Sequence, residues 1–207
     1  RLEFHKKEST TSTTVWMAIG VAVVVVFWAA AVHNRLRQLR NRVDNAFAQI
    51  DVQLKRRHDL IPNLVEVARG YMAHESSTLE AVARARGQAA QAAAHARRHP
   101  GQAAAMASLA GAEAALGSSL GQLMVLTESY PDLKADAQMQ SLSEEITSTE
   151  NRLGFARQAY NDEILAYNDQ ASQFPDLLIA RLIGFAHLDM LQATESAQER
   201  AAPQVRF

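Results

Sequence analysis

The segment from Ser9 to Asn34 runs for 26 residues without a formal charge, between Glu8 and the arginines Arg35, Arg37, Arg40 and Arg42. Its centre, Val15 to Val32, reads VWMAIGVAVVVVFWAAAV. Eighteen such residues at about 1.5 Å rise give roughly 27 Å, enough to cross a hydrocarbon core about 30 Å thick. Lipid offers the backbone no hydrogen-bond partner, so this segment is expected to be a helix. Trp16 and Trp28 stand near its ends, where an amphipathic ring suits the interface. A cleaved signal peptide is the competing reading, with Lys6 and Lys7 as its basic region and Ala29-Ala30-Ala31 as its small-residue site. The apolar run is longer than the roughly 7–15 residues of a signal core, which favours a retained anchor. The chain opens at Arg1 rather than at methionine, so its true N-terminus is expected upstream.

Beyond the anchor about 170 residues remain, enough for one domain with a core of its own. Cysteine is absent, which removes disulfides, thiolate nucleophiles and cysteine-ligated metals. A net charge of −1 argues against a general nucleic-acid binder. The charge is unevenly spread. Residues 35–98 hold 12 Lys/Arg against 6 Asp/Glu, and residues 113–207 hold 6 against 14. Such halves can lie against each other, within one chain or between neighbours, or can simply be solvated faces of opposite sign.

Abundant alanine and the lack of Val/Ile/Thr runs outside the anchor point to an all-α fold. No Pro or Gly separates Val32 from Ile61, so the spanning helix is expected to continue into the aqueous phase. Leu36, Leu39, Val43, Phe47, Ile50, Leu54, Ile61, Leu64, Ala68 and Tyr71 or Met72 follow spacings near three and four, the seam of a packed helix. Pro62 removes the hydrogen bond to the carbonyl of His58, so a bend or restart is expected there. Between Gly70 and Ser77 two readings compete: a helix running through, or a new helix whose capping box is Ser77 with Glu80. Ala89, Ala90 and Ala93 form a narrow face in the next helix.

His99-Pro100-Gly101 reads as a turn. A third helix is expected over 102–129, with Met106, Leu109, Glu113, Leu116, Leu120, Leu123 and Leu126 in period. A fourth is expected over 133–173. Its positions Met139, Ile146, Leu153, Tyr160, Tyr167 and Phe174 repeat every seven residues, as in a coiled coil. Asp176 is a candidate N-cap for the apolar segment LLIARLIGF, Leu177 to Phe185. The pattern therefore predicts one N-terminal transmembrane helix continuing into a long antiparallel bundle of three to four helices. The expected parts are a short extracytoplasmic tail (1–14), the span (15–33), the bundle (34–174), a short apolar helix at the membrane interface or between subunits (175–191), and a tail (192–207).

No catalytic, cofactor or metal constellation emerges. His95 and His99 have the four-residue spacing of a ligand pair, without a third ligand nearby. His58-Asp59 admits a proton relay or a phosphorylated histidine, but a polar position in a bundle is the simpler reading. Glu144-Glu145 and Asp162-Glu163 are neighbours in sequence and so point to different sides of a helix. No P-loop or dinucleotide fingerprint is present. The physical signals concern membranes. Arg35, Arg37, Arg40 and Arg42 are expected at the lipid headgroups. Leu177, Leu178, Leu182, Ile183 and Phe185 are candidate interface residues, lying in the membrane surface or against protein.

The block Asn41 to Arg86, NRVDNAFAQIDVQLKRRHDLIPNLVEVARGYMAHESSTLEAVARAR, closely resembles the signature of the LemA family. So do LGQLMVLTESYPDLKAD (Leu120–Asp136), ENRLGFARQAYNDEILAYND (Glu150–Asp169) and FPDLLIARLIGF (Phe174–Phe185). The chain departs from the common pattern at Phe47, where Trp is frequent, and in its alanine-rich stretch His95–Ala115. The resemblance implies a single-pass protein of the bacterial cytoplasmic (inner) membrane, or a membrane derived from it. The N-terminal tail would lie outside and the bulk of the chain in the cytoplasm. It carries no enzymatic activity or catalytic residues, and one branch of the family acts in magnetosome membrane formation.

Two functions are consistent with these signals. One is a membrane-anchored, self-associating scaffold that organises or remodels the bilayer, with lipid, further copies of itself and other membrane or signalling proteins as partners. The other is a monomeric tethered module that binds a soluble signalling or protease partner.

Overall fold

The computed structural model describes the backbone of residues 2–192 and the side chains of residues 14–192. The expected tail (192–207) lies almost wholly outside them. Among the described residues the chain is all-helical, with six helices and no strand. They are α1 (Leu2–Tyr71), α2 (Ser76–Arg98), α3 (Ala103–Thr127), α4 (Pro131–Ala135), α5 (Ala137–Ser172) and α6 (Asp176–Ile183). Two compact units emerge, each drawing on parts of α1 and α5. Among the described residues, one comprises 2–41 with 166–187 and the other 42–165 with 188–192.

The larger unit buries the seams that periodicity predicts. Val43, Phe47, Ile50, Leu54, Ile61, Leu64 and Ala68 of α1 are all buried. So are Leu109, Leu116, Leu120 and Leu123 of α3, and Met139, Ile146, Tyr160 and Ile164 of α5. Each large side chain fully removed from water contributes about 1.5–3 kcal/mol. Pairings between α1 and the Asp136–α5 segment run in opposite numerical order. Tyr71 meets Asp136, Arg56 meets Glu145, Arg57 meets Glu150, and the Phe47 and Tyr160 rings lie 5.6 Å apart. In α2 Ala89 and Ala93 of the expected narrow face are buried together with Ala85, Ala92 and Ala96, whereas Ala90 is only half-buried.

Several boundaries differ from the sequence reading. α1 runs through Pro62 without restarting. It then ends at Tyr71, so the helix does not run on through Gly70–Ser77. Glu75 occupies the N-cap of α2 and makes no side-chain cap bond, so the expected Ser77/Glu80 capping box is not formed. Ser77 lies one residue inside the helix, where its hydroxyl has no free terminal N–H to serve in that way. The fourth helix divides in two. Pro131 opens α4, and Asp136 closes it and starts α5. Asp136 Oδ1 accepts the backbone N–H groups of Gln138 and Met139, both at 2.9 Å, satisfying two otherwise orphaned donors. α5 ends at Ser172, so Phe174 falls outside the seam and is 81% exposed.

At the His99–Gly101 turn Gly101 has φ +78°, and an added Cβ would lie 2.8 Å from Leu188 Cδ2. Only glycine suits both the left-handed backbone and the close approach. The Gly101 carbonyl accepts the N–H of Asp189 at 2.9 Å. Asn161 brackets the backbone of Leu191, donating to its carbonyl at 3.1 Å and accepting its N–H at 2.9 Å. Residues 185–192 are therefore held as non-helical chain rather than as part of the helix expected over 175–191.

Candidate membrane-contact site and buried charge cluster

In the smaller unit, the apolar run of α1 is almost entirely exposed. Val15, Trp16, Val21, Val24, Val26 and Phe27 all face outward. The helix is long and apolar enough to cross a membrane, with only 6% of its most apolar window buried. α3 meets the same length and polarity criteria, but its leucines turn into the core.

Burial in this unit begins at the C-terminal end of the run. Val32 and Leu36, one turn apart on α1, pack on Ile179 and Ala180 of α6, with Trp28, Ala29, Ala171 and Phe185 around them. Asp176 is the first helical residue of α6 rather than its cap, since Pro175 holds the N-cap position. The Asp176 carboxylate accepts instead from Gln170 Nε2. At the other end Gly184 adopts φ +81°, and the N–H of Phe185 reaches back to the Ala180 carbonyl at 2.9 Å. This left-handed closure satisfies the last carbonyls and turns the chain back on itself.

The turn places Phe185 at the centre of a small polar–aromatic cluster. Its ring lies 5.7 Å from that of His33 and 6.4 Å from that of Tyr167, and the Arg37 guanidinium sits 5.8 Å above it. Such a cation over a ring face is attracted by the quadrupole. The Tyr167 hydroxyl donates to the Ala186 carbonyl at 3.0 Å. Burial pushes its phenol above the usual value, with the Arg40 charge pulling the other way.

Of the arginines singled out in the sequence, Arg37 is thus held by Phe185, Arg40 is half-buried beside Tyr167, and Arg35 is exposed. Arg42 is exposed but belongs to the larger unit. The five candidates of the Leu177–Phe185 segment divide. Leu177 and Phe185 are half-buried, whereas Leu178, Leu182 and Ile183 are exposed, Leu182 to 83%.

The larger unit contains a cluster that the sequence reading did not assemble. Arg57 and Glu113 are only 3% and 7% exposed. Arg57 Nη1 donates to Glu113 Oε2 and Nη2 to Glu150 Oε2, each at 3.1 Å. The second Glu113 oxygen lies 2.8 Å from Nε2 of the buried His58. A carboxylate only accepts, so the imidazole donates through Nε2. One traceable signal existed: Glu113 sits in the apolar period of α3, and Arg57-His58 occupies the α1 seam between Leu54 and Ile61. What periodicity could not supply was that these positions face one another. The His95 and His99 rings are adjacent at 4.8 Å, and no group of three metal-ligating side chains occurs among the described residues.

Comparison with known proteins follows the same lines. A model of the LemA family matches residues 46–207. Magnetosome protein MamQ 2 of Paramagnetospirillum magneticum is 24% identical over 193 residues, covering 85% of this chain and 71% of that one. Magnetosome protein MamQ of Magnetospirillum gryphiswaldense is 22% identical, covering 84% and 70%. Protein LemA of Metamycoplasma hominis is 24% identical, covering 78% and 69%. With the family pattern extending over more than three quarters of its length, the chain belongs to the LemA family.

Proposed function

We propose that this chain is a single-pass bacterial inner-membrane protein that self-associates and organises or remodels the bilayer around it, without catalysing a reaction. The bulk of the chain would be cytoplasmic and would form an antiparallel helical bundle. The observation that carries the reading is the pairing of α6 with the end of the apolar run. Ile179 and Ala180 seal against Val32 and Leu36, while Leu178 and Leu182 stay exposed in the same unit. An amphipathic helix beside a span can lie in the interface with its apolar face among the acyl chains, occupying area in one leaflet. The opposite charge of residues 35–98 and 113–207 supports contact between neighbouring copies. The relatives named as magnetosome proteins support a role in organising a membrane compartment.

Light scattering in detergent and electron microscopy of proteoliposomes test this. Oligomers, together with vesicles whose curvature changes in the presence of the protein, are expected. Leu178→Glu/Leu182→Glu should stay bound through the span yet lose the effect on vesicle shape. A clean monomer at micromolar concentration in vesicles of unaltered shape would sink the reading.

A further inference from the structure

We propose that a cavity in the larger unit is a binding site for a small amphipathic carboxylate, an alkyl chain bearing one anionic head. The cavity measures about 420 Å³ and lies among α1, α3 and α5. That is within the range of about 300–1,000 Å³ typical of small-molecule sites. Ile50, Leu54, Leu109 and Leu153 supply apolar walls. The space exists because glycine stands where a side chain would fill it. A Cβ at Gly154 would meet nothing within 4 Å, and one at Gly117 would meet only Arg57 Nη2, at 3.9 Å.

Two arginines give the cavity its polar preference. Arg57 is buried with both Nη atoms engaged by carboxylates, but its Nε has no hydrogen-bond partner. A buried donor left unsatisfied costs about 1–3 kcal/mol, and this one belongs to a residue that lines the cavity. Arg157 also lines the cavity, is half-buried, and makes no hydrogen bond or ion pair with any described residue. The two carboxylates in the wall are already committed: Glu113 to Arg57 and His58, Glu150 to Arg57. Arg157 is therefore the lining cation whose donors are uncommitted among the described residues. A guanidinium beside an apolar chamber fits a carboxylate head on an alkyl body.

The test uses the full chain in lipid nanodiscs, with empty nanodiscs subtracting partition into lipid. Calorimetric titration with octanoate is expected to give saturable binding. Octanol, of the same length but without charge, and acetate, charged but without the body, should each bind at least roughly tenfold more weakly, the worth of a charge-assisted contact. Arg157→Met should weaken octanoate by about tenfold on the same grounds. Gly154→Leu, which fills open space and favours the helix, should abolish binding while circular dichroism shows the helix content retained. No saturable octanoate binding, equal affinity for octanol, or full binding by folded Gly154→Leu would overturn the proposal.

Discussion

Arg86 of α2 donates its Nε–H to the backbone carbonyl of His58 at 3.0 Å. That carbonyl is the one Pro62 leaves without a helical donor, because proline has no N–H to return four residues. The guanidinium thus replaces the missing rung, and the proline is accommodated inside α1. Arg86→Met is expected to destabilise the fold by about 1 kcal/mol. In a Pro62→Ala background the backbone supplies its own donor, so the same change should cost much less. Urea denaturation of the four proteins measures this coupling. An equal cost of Arg86→Met in both backgrounds would show that the contact does not serve the proline.

Glu113 holds Arg57 and His58 together in the core. Glu113→Ala leaves a guanidinium buried beside a missing partner and is expected to cost about 3–5 kcal/mol. Replacing the pair together, Arg57→Met with Glu113→Leu, removes the charge requirement and should cost less than the single change. Chemical denaturation of the two variants decides it, and the prediction fails if the double variant is the less stable.

Asp136 links pH to stability at the start of α5. The Met139 N–H and then the Tyr71 hydroxyl hold its carboxyl below the usual range against the opposing effect of burial, with a lesser contribution from the Gln138 N–H. A depressed carboxyl contributes stability above its unfolded value of about 3.9 and loses it as pH falls through the folded value. Tyr71, which donates to Asp136 at 3.0 Å, is shifted the other way, first by that bond and then by the carboxylate charge. Its contribution is present below about pH 10 and is lost as pH rises through the raised value. The stability lead of wild type over Asp136→Ala should therefore shrink below about pH 4, and its lead over Tyr71→Phe above about pH 10. Thermal unfolding across pH reads both, and differences independent of pH would contradict the linkage.

The exposed face of α6 can be tested directly because the chain has no cysteine of its own. A spin label at Leu182→Cys in liposomes is expected to be more accessible to oxygen, which dissolves in acyl chains, than to a polar nickel chelate. A label at exposed Arg84→Cys, on α2 of the larger unit, should show the reverse order. Preferential chelate access at position 182 would place α6 in water.

Much of this was legible in the residues themselves. A charge-free run and a period near 3.6 act through local chemistry: the helix geometry alone decides which side chains share a face. This is why the apolar helical run, the α3 seam and the buried positions of α1 could be read in advance. Helix ends were less legible, because Asp136 and Glu75 reside in the same polar vocabulary as many uncapped positions. Asp136 acts as a cap where α4 ends, with the Tyr71 hydroxyl donating to its other oxygen. The charge cluster was out of reach, since Arg57, Glu113 and Glu150 are separated by dozens of residues and meet only through packing. The sequence by itself determined an all-helical chain with one strongly apolar run, because both follow from spacing and polarity within a few turns. Tertiary structure alone decided that Arg86 would complete Pro62, that α6 would seal Val32 and Leu36, and that a cavity would open at Gly154, because each depends on which faces are pressed together.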